Sequence, residues 1–145
     1  MDDAYFMRLA VDEARKCIPS ETAFSVGAVI VRGDIALSTG YSRELPGNTH
    51  AEECAIKKAS GVALEGSTIY TTLEACHPRK SGKKSCTDRI IEARIRRVVI
   101  GSYEPPIFVE CIGREKLQES GIEVCYVEGF VDILKQLNKH LNIQE

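Results

Sequence analysis

Apolar and polar positions along this chain alternate with two periods, and the changes of period mark out ten segments. In residues 2–17, Phe6, Leu9, Ala10, Ala14 and Cys17 recur at helical spacing with charges opposite. This predicts an amphipathic helix, ended by Pro19. Residues 26–31 are a continuous apolar run, the pattern of a strand buried on both faces. Gly33-Asp34 supply a turn, and residues 35–40 return as a second strand. Gly27 sits inside the first strand, where a glycine marks close approach of another backbone or of a ligand. Both readings fit.

After a polar loop turned at Pro46-Gly47, residues 49–59 predict a helix with His50 and Glu52 in its first turn. Thr49-x-x-Glu52 matches a capping box, in which Glu52 would bond the helix start. Residues 68–72 read as a strand of β-branched and aromatic residues, and residues 86–94 as a helix capped by Ser85-x-x-Asp88. A buried strand at 97–101, a short helix at 113–120, a strand at 123–126 and an amphipathic helix at 129–141 complete the chain. The order is α-β-β-α-β-α-β-α-β-α. Helices between the third, fourth and fifth strands imply right-handed parallel crossovers. The expected fold is α/β: a three-layer α-β-α sandwich around a mixed five-stranded sheet whose fifth strand is parallel. Ligands meet such sheets at the carboxyl ends of strands, and the third strand runs directly towards Cys76.

Length and charge narrow the choice of partner. At 145 residues, one domain over 1–145 is expected. A net charge of −2 provides no broad basic surface, so nucleic acid is not an expected partner. No apolar run reaches membrane-spanning length, and Met1-Asp2-Asp3 lacks the basic start of a signal peptide. The expected compartment is the cytoplasm, with no membrane partner. Six cysteines then read as reduced thiols. Cys17, Cys54, Cys111 and Cys125 lie among apolar neighbours and suit small core positions.

The other two cysteines carry the candidate chemistry. His50, Cys76 and Cys86 are three donors of the types zinc prefers, and a catalytic zinc keeps three protein ligands and one open position. One zinc per chain is expected. His77 is set aside, because adjacent residues seldom serve one zinc. When bound, zinc lowers the pKa of a water to about 7. Glu52, two residues after His50, would take the proton of that water, pass it to a ring nitrogen and help protonate the departing ammonia. The predicted reaction is hydrolytic deamination at an amidine-type carbon of a heterocycle. Cys86 opens a helix, where a thiolate is electrostatically favoured, so two helix starts are expected to meet at the metal. The basic loop Arg79-Lys80-Ser81-Gly82-Lys83-Lys84 has the donors for a phosphate, and a solvated basic loop is the plain alternative. Asn48 fits either a contact to the substrate ring edge or an ordinary turn position.

At Val26-Gly27-Ala28-Val29-Ile30-Val31, His50-Ala51-Glu52, Thr72-Leu73-Glu74-x-Cys76 and Gly121-Ile122, the chain resembles the cytidine deaminase superfamily over nearly its whole length. Ala75 departs from the pattern, standing where the family usually has Pro. Nine residues separate Cys76 from Cys86, where the usual signature has two, and this is similar to the riboflavin-pathway branch. Gly40-Tyr41-Ser42-Arg43-Glu44, Gly47 to Glu52, Arg79-x-Ser81-Gly82 and Glu104-Pro105-x-x-Phe108-Val109 resemble the fungal members of that branch. The resemblance implies deamination of 2,5-diamino-6-ribitylamino-4(3H)-pyrimidinone 5′-phosphate to 5-amino-6-ribitylaminouracil 5′-phosphate. It also implies Arg79 and Ser81 as substrate-binding residues, and a homodimer. A deoxycytidylate or guanine deaminase, or a non-catalytic zinc-binding subunit, are the alternatives.

Overall fold

Five strands form one mixed sheet: β1 (Gly27–Arg32), β2 (Ile35–Tyr41), β3 (Thr68–Thr71), β4 (Arg97–Ile100) and β5 (Glu123–Tyr126). Their spatial order is β2-β1-β3-β4-β5. β1 runs antiparallel to both neighbours, and β3, β4 and β5 are parallel, as the intervening helices require. The helices are α1 (Asp3–Ala14), α2 (Ala51–Lys58), α3 (Cys86–Glu92), α4 (Gly113–Glu119) and α5 (Val131–Leu137). This computed structural model describes residues 2–18, 25–47, 49–73, 85–102 and 113–139. The ten elements follow the expected order, each ending within a few residues of its expected bounds.

Strand alternation divides the core into two layers. Ala28, Ile30, Ile69, Val98 and Ile100 point one way and pack with Ala51 and Ala55 of α2, Cys86 and Ile90 of α3 and Leu117 of α4. Val29, Val31, Tyr70 and Val99 point the other way, onto Phe6, Met7 and Ala10 of α1, with Phe130 alongside. Each central strand is therefore apolar on both faces, which is why residues 26–31 read as an unbroken run. Gly33 turns the β1–β2 hairpin with a φ of 61°, a conformation that carries a Cβ penalty for other residues.

Gly27 resolves to helix packing. A Cβ there would collide with the Ala10 carbonyl oxygen and lie 2.5 Å from Ala14 N, both backbone atoms of α1. Buried Asn138, at the end of α5, pins the entry to the same strand. Its Oδ1 accepts the Ser25 N–H at 2.6 Å, and its Nδ2 donates to the Leu134 carbonyl at 3.0 Å.

The outer end of α1 is tied to the sheet by charge. Arg97 donates two hydrogen bonds to Asp3, at 2.9 and 2.7 Å, and the Tyr70 hydroxyl donates to Asp3 Oδ1 at 2.7 Å. The Arg97 hydrogen bonds hold the Asp3 carboxyl below its ordinary 3.8, against the opposing pull of partial burial. Burial first, then the Asp3 hydrogen bond, push the Tyr70 hydroxyl upward. Because the folded carboxyl is the stronger acid, its contribution is present above about pH 4 and lost as pH falls through the lowered value. Asp3→Asn is expected to cost about 1 kcal/mol, a figure kept small by the exposure of the pair. In urea melts from pH 7 to pH 3, the gap between parent and variant should close at the acid end.

Candidate active site

The loop that delivers α2 is fixed by its own hydrogen bonds. Arg43, at a φ of 64°, donates its N–H to the Thr49 carbonyl at 2.6 Å. The Thr49 hydroxyl donates to the Leu45 carbonyl at 2.9 Å, and the Ser42 hydroxyl accepts the Val26 N–H at 2.9 Å. A left-handed backbone at a long, charged residue is uncommon, and the loop closure over-determines it. The chain therefore leaves Thr49 in a fixed direction, with His50 extended as the N-cap of α2 (φ −92°, ψ 160°).

The capping box is real, but it lies one residue later than the sequence reading. Glu53, not Glu52, reaches back to the helix start, and its Oε1 accepts the His50 N–H at 3.2 Å. Thr49 spends its hydroxyl on the preceding loop. The Thr/Glu pattern drew the assignment to the wrong pair because His is not a favoured cap residue. Glu52 is thus left out of the cap, a buried carboxylate in the first turn of α2.

α3 arrives from the other side. Ser85 caps it as expected, its Oγ accepting the Asp88 N–H at 3.0 Å, and Cys86 follows as the first helical residue. Buried Cys86 Sγ lies 3.4 Å from His50 Nδ1, although the residues are 36 apart in sequence. Zinc bonds of about 2.3 Å to sulfur and about 2.0 Å to nitrogen at a tetrahedral angle place the two donors about 3.5 Å apart. The observed separation and the donor types both fit that ion. The two helix starts do meet, as the sequence suggested.

The remaining sequence-derived site residues, Asn48, Cys76, Arg79 and Ser81, lie outside the described residues, as do His77, Ala75 and the loop at 103–109. Among the described residues no cluster of three metal-binding side chains occurs. The carboxyl end of β3 is anchored at Thr72. There the Gly27 N–H donates to Thr72 Oγ1 at 3.1 Å, and the Ser102 hydroxyl donates to the Thr72 carbonyl at 2.7 Å. Cys54 is fully buried and half-buried Cys125 packs against the core, as read for them; half-buried Cys17 lies outside both core clusters, its Sγ donating to the Val26 carbonyl at 3.6 Å, and Cys111 lies outside the described residues.

Residues 1–102 match the family model described as the cytidine and deoxycytidylate deaminase zinc-binding region. The chain belongs to this deaminase family. It is 52% identical over 123 residues to the diaminohydroxyphosphoribosylamino-pyrimidine deaminase of Schizosaccharomyces pombe, covering 82% of this chain and 30% of that protein. It is 38% identical over 126 residues to the riboflavin biosynthesis protein RibD of Aquifex aeolicus, covering 84% and 34%. This deaminase-family chain spans about a third of the length of these curated relatives. Among solved structures, the Aspergillus oryzae Rib2 deaminase superposes with a TM-score of 0.85 at 30% identity, over 94% of this chain and 90% of that one. The same Aspergillus enzyme has been crystallised in complex with DARIPP. The family's cytidine deaminase-like fold, with its parallel fifth strand, is the one described above.

Of three residues beside this site, Glu53 and Arg89 had no part in the sequence reading, and Gly40 entered it only within a resemblance motif. The His50-x-x-Glu53 spacing was a usable signal for one of them. The other two act only across elements. A Cβ on Gly40 would collide with the Ala51 carbonyl oxygen and lie 2.6 Å from Ala55 N. β2 and the first turn of α2 therefore touch backbone to backbone. Arg89 reaches Glu53 from α3.

Proposed function

We propose that this chain catalyses hydrolytic deamination of 2,5-diamino-6-ribitylamino-4(3H)-pyrimidinone 5′-phosphate, giving the corresponding uracil and ammonia. The observation that carries the reading is the 3.4 Å approach of Cys86 to His50 beside a buried glutamate that the helix cap does not use. His50, Cys86 and Cys76 would hold one zinc, which when bound supplies a water acidified to about pKa 7. Glu52 removes a proton from the attacking water and delivers it to the ring nitrogen. It then moves the remaining proton of the added hydroxyl to the amino group, so that the carbon–nitrogen bond breaks, ammonia leaves and the ring carbon becomes a carbonyl. Burial of Glu52 excludes competing bulk water from these transfers. Asn48, Arg79 and Ser81 are assigned to substrate binding, and the basic residues of the 79–84 segment to the phosphate. A homodimer in the cytoplasm is part of the same proposal. No helix among the described residues is long and apolar enough to cross a membrane.

The substrate class is supported by the Schizosaccharomyces relative's name and by the Aspergillus Rib2 likeness. The Schizosaccharomyces name specifies a ribosylamino compound, which favours a second reading with the sugar unreduced. Ammonia release should be measured with ribityl and ribosyl compounds side by side. We expect the ribityl compound to be preferred by at least about 10²-fold in kcat/KM, the discrimination open to a site whose polar groups are left unpaired by the wrong sugar. A reversed preference would establish the ribosyl reading. Turnover of deoxycytidylate or guanine alone would move the chain to another branch, and zinc binding without any turnover would make it a non-catalytic subunit.

A further inference from the structure

Glu53 is almost fully buried, 2% exposed, in the first turn of α2, yet it lies outside the proton-transfer chemistry. Its two oxygens face different elements. Oε1 accepts the backbone N–H of His50 at 3.2 Å. Oε2 accepts from Lys57 Nζ at 2.9 Å on the same helix and pairs with Arg89 Nη2 at 3.3 Å on α3. Arg89 stands one turn after Cys86, and its own N–H donates to the carbonyl of Ser85, the residue that caps α3. One carboxylate thus links the backbone of the histidine to the helix that opens with the cysteine.

We infer that Glu53 and Arg89 are positioning residues that hold the His50 and Cys86 helix starts at metal-binding separation. The inference rests on the zinc site proposed above. Two helices joined only by apolar contacts can slide against each other, whereas a buried charge pair admits one register. Groups behind metal ligands act by orienting them, and their loss typically weakens metal binding about 10- to 100-fold. Lys57 is half exposed and bridges within α2 alone, so it contributes little to the separation.

The test is zinc affinity by chelator competition, together with the melting temperature of the metal-free chain. Glu53→Gln keeps an acceptor for the His50 N–H but removes the charge, and Arg89→Met removes the link between helices while leaving the cap intact. Each is expected to weaken zinc binding by about tenfold or more, with the double variant little worse than either single one. Arg89→Lys should recover part of the loss, and Lys57→Ala should change affinity less than about twofold. A lower metal-free melting temperature with unchanged zinc affinity in Arg89→Met would overturn the inference, reducing the pair to a structural tie. A parent chain that binds no zinc would instead overturn the proposed site, and the inference with it.

Discussion

Glu52→Gln is expected to retain zinc and lose turnover by about 10³-fold or more. The amide is close to isosteric with the carboxylate, so the buried first turn of α2 keeps its shape. It can neither accept the water's proton nor deliver one to the ring nitrogen. In the proposed mechanism both proton transfers pass through the same side chain, which places the loss towards the upper end of the range for acid–base catalysis. The position of the capping box makes this substitution clean. If Glu52 bonded the helix start, replacing it would disturb His50 and confuse a structural effect with a chemical one. Glu53 holds that role, so the bond to the His50 N–H is kept. Metal content should remain at the parent's level while ammonia release falls. Substantial activity in the variant would remove Glu52 from the proton path.

Gly40→Ala is expected to act through the backbone. The new methyl would meet a carbonyl oxygen and an amide nitrogen of α2, neither of which can rotate away as a side-chain tip would. The helix must lift from the sheet. Overpacking of this kind costs about 3 kcal/mol, offset in part by the lower unfolded-state entropy of Ala. For a chain of this size that is a fall of roughly 10 °C in Tm. Because the colliding carbonyl belongs to Ala51, the displacement also reaches His50 and Glu52, and a shift of about 1 Å can cost about 10²-fold in turnover. Gly27→Ala is the comparison. It makes a similar clash, but with α1 on the opposite face of the sheet, so stability should fall without a direct push on His50 and Glu52. Unchanged melting of Gly40→Ala would show that β2 leaves room for a methyl.

The two halves of the site differed in how far they could be read in advance. Residue types were legible: a His with a Glu two residues on, and a cysteine at a helix start, are local patterns of donor chemistry. Their register was not. The reading of Thr49 as cap followed a sound side-chain preference, but the path of the 41–49 loop already commits the Thr49 hydroxyl to Leu45. Gly27 was ambiguous between ligand and backbone until α1 was seen lying across it.

What the sequence determined by itself was the succession of elements, the parallel sense of β3, β4 and β5, and the residue types at His50, Glu52 and Cys86. Periodicity and crossover handedness are properties of neighbouring residues and of chain chirality, so they survive without coordinates. Only the tertiary structure decided that His50 and Glu53 share the cap, that Gly40 seats α2 and that Arg89 ties α3 to it. It alone brought Cys86 within 3.4 Å of His50. These contacts join elements distant in the chain, and their distances are set by how helices settle on a sheet, which no local pattern encodes.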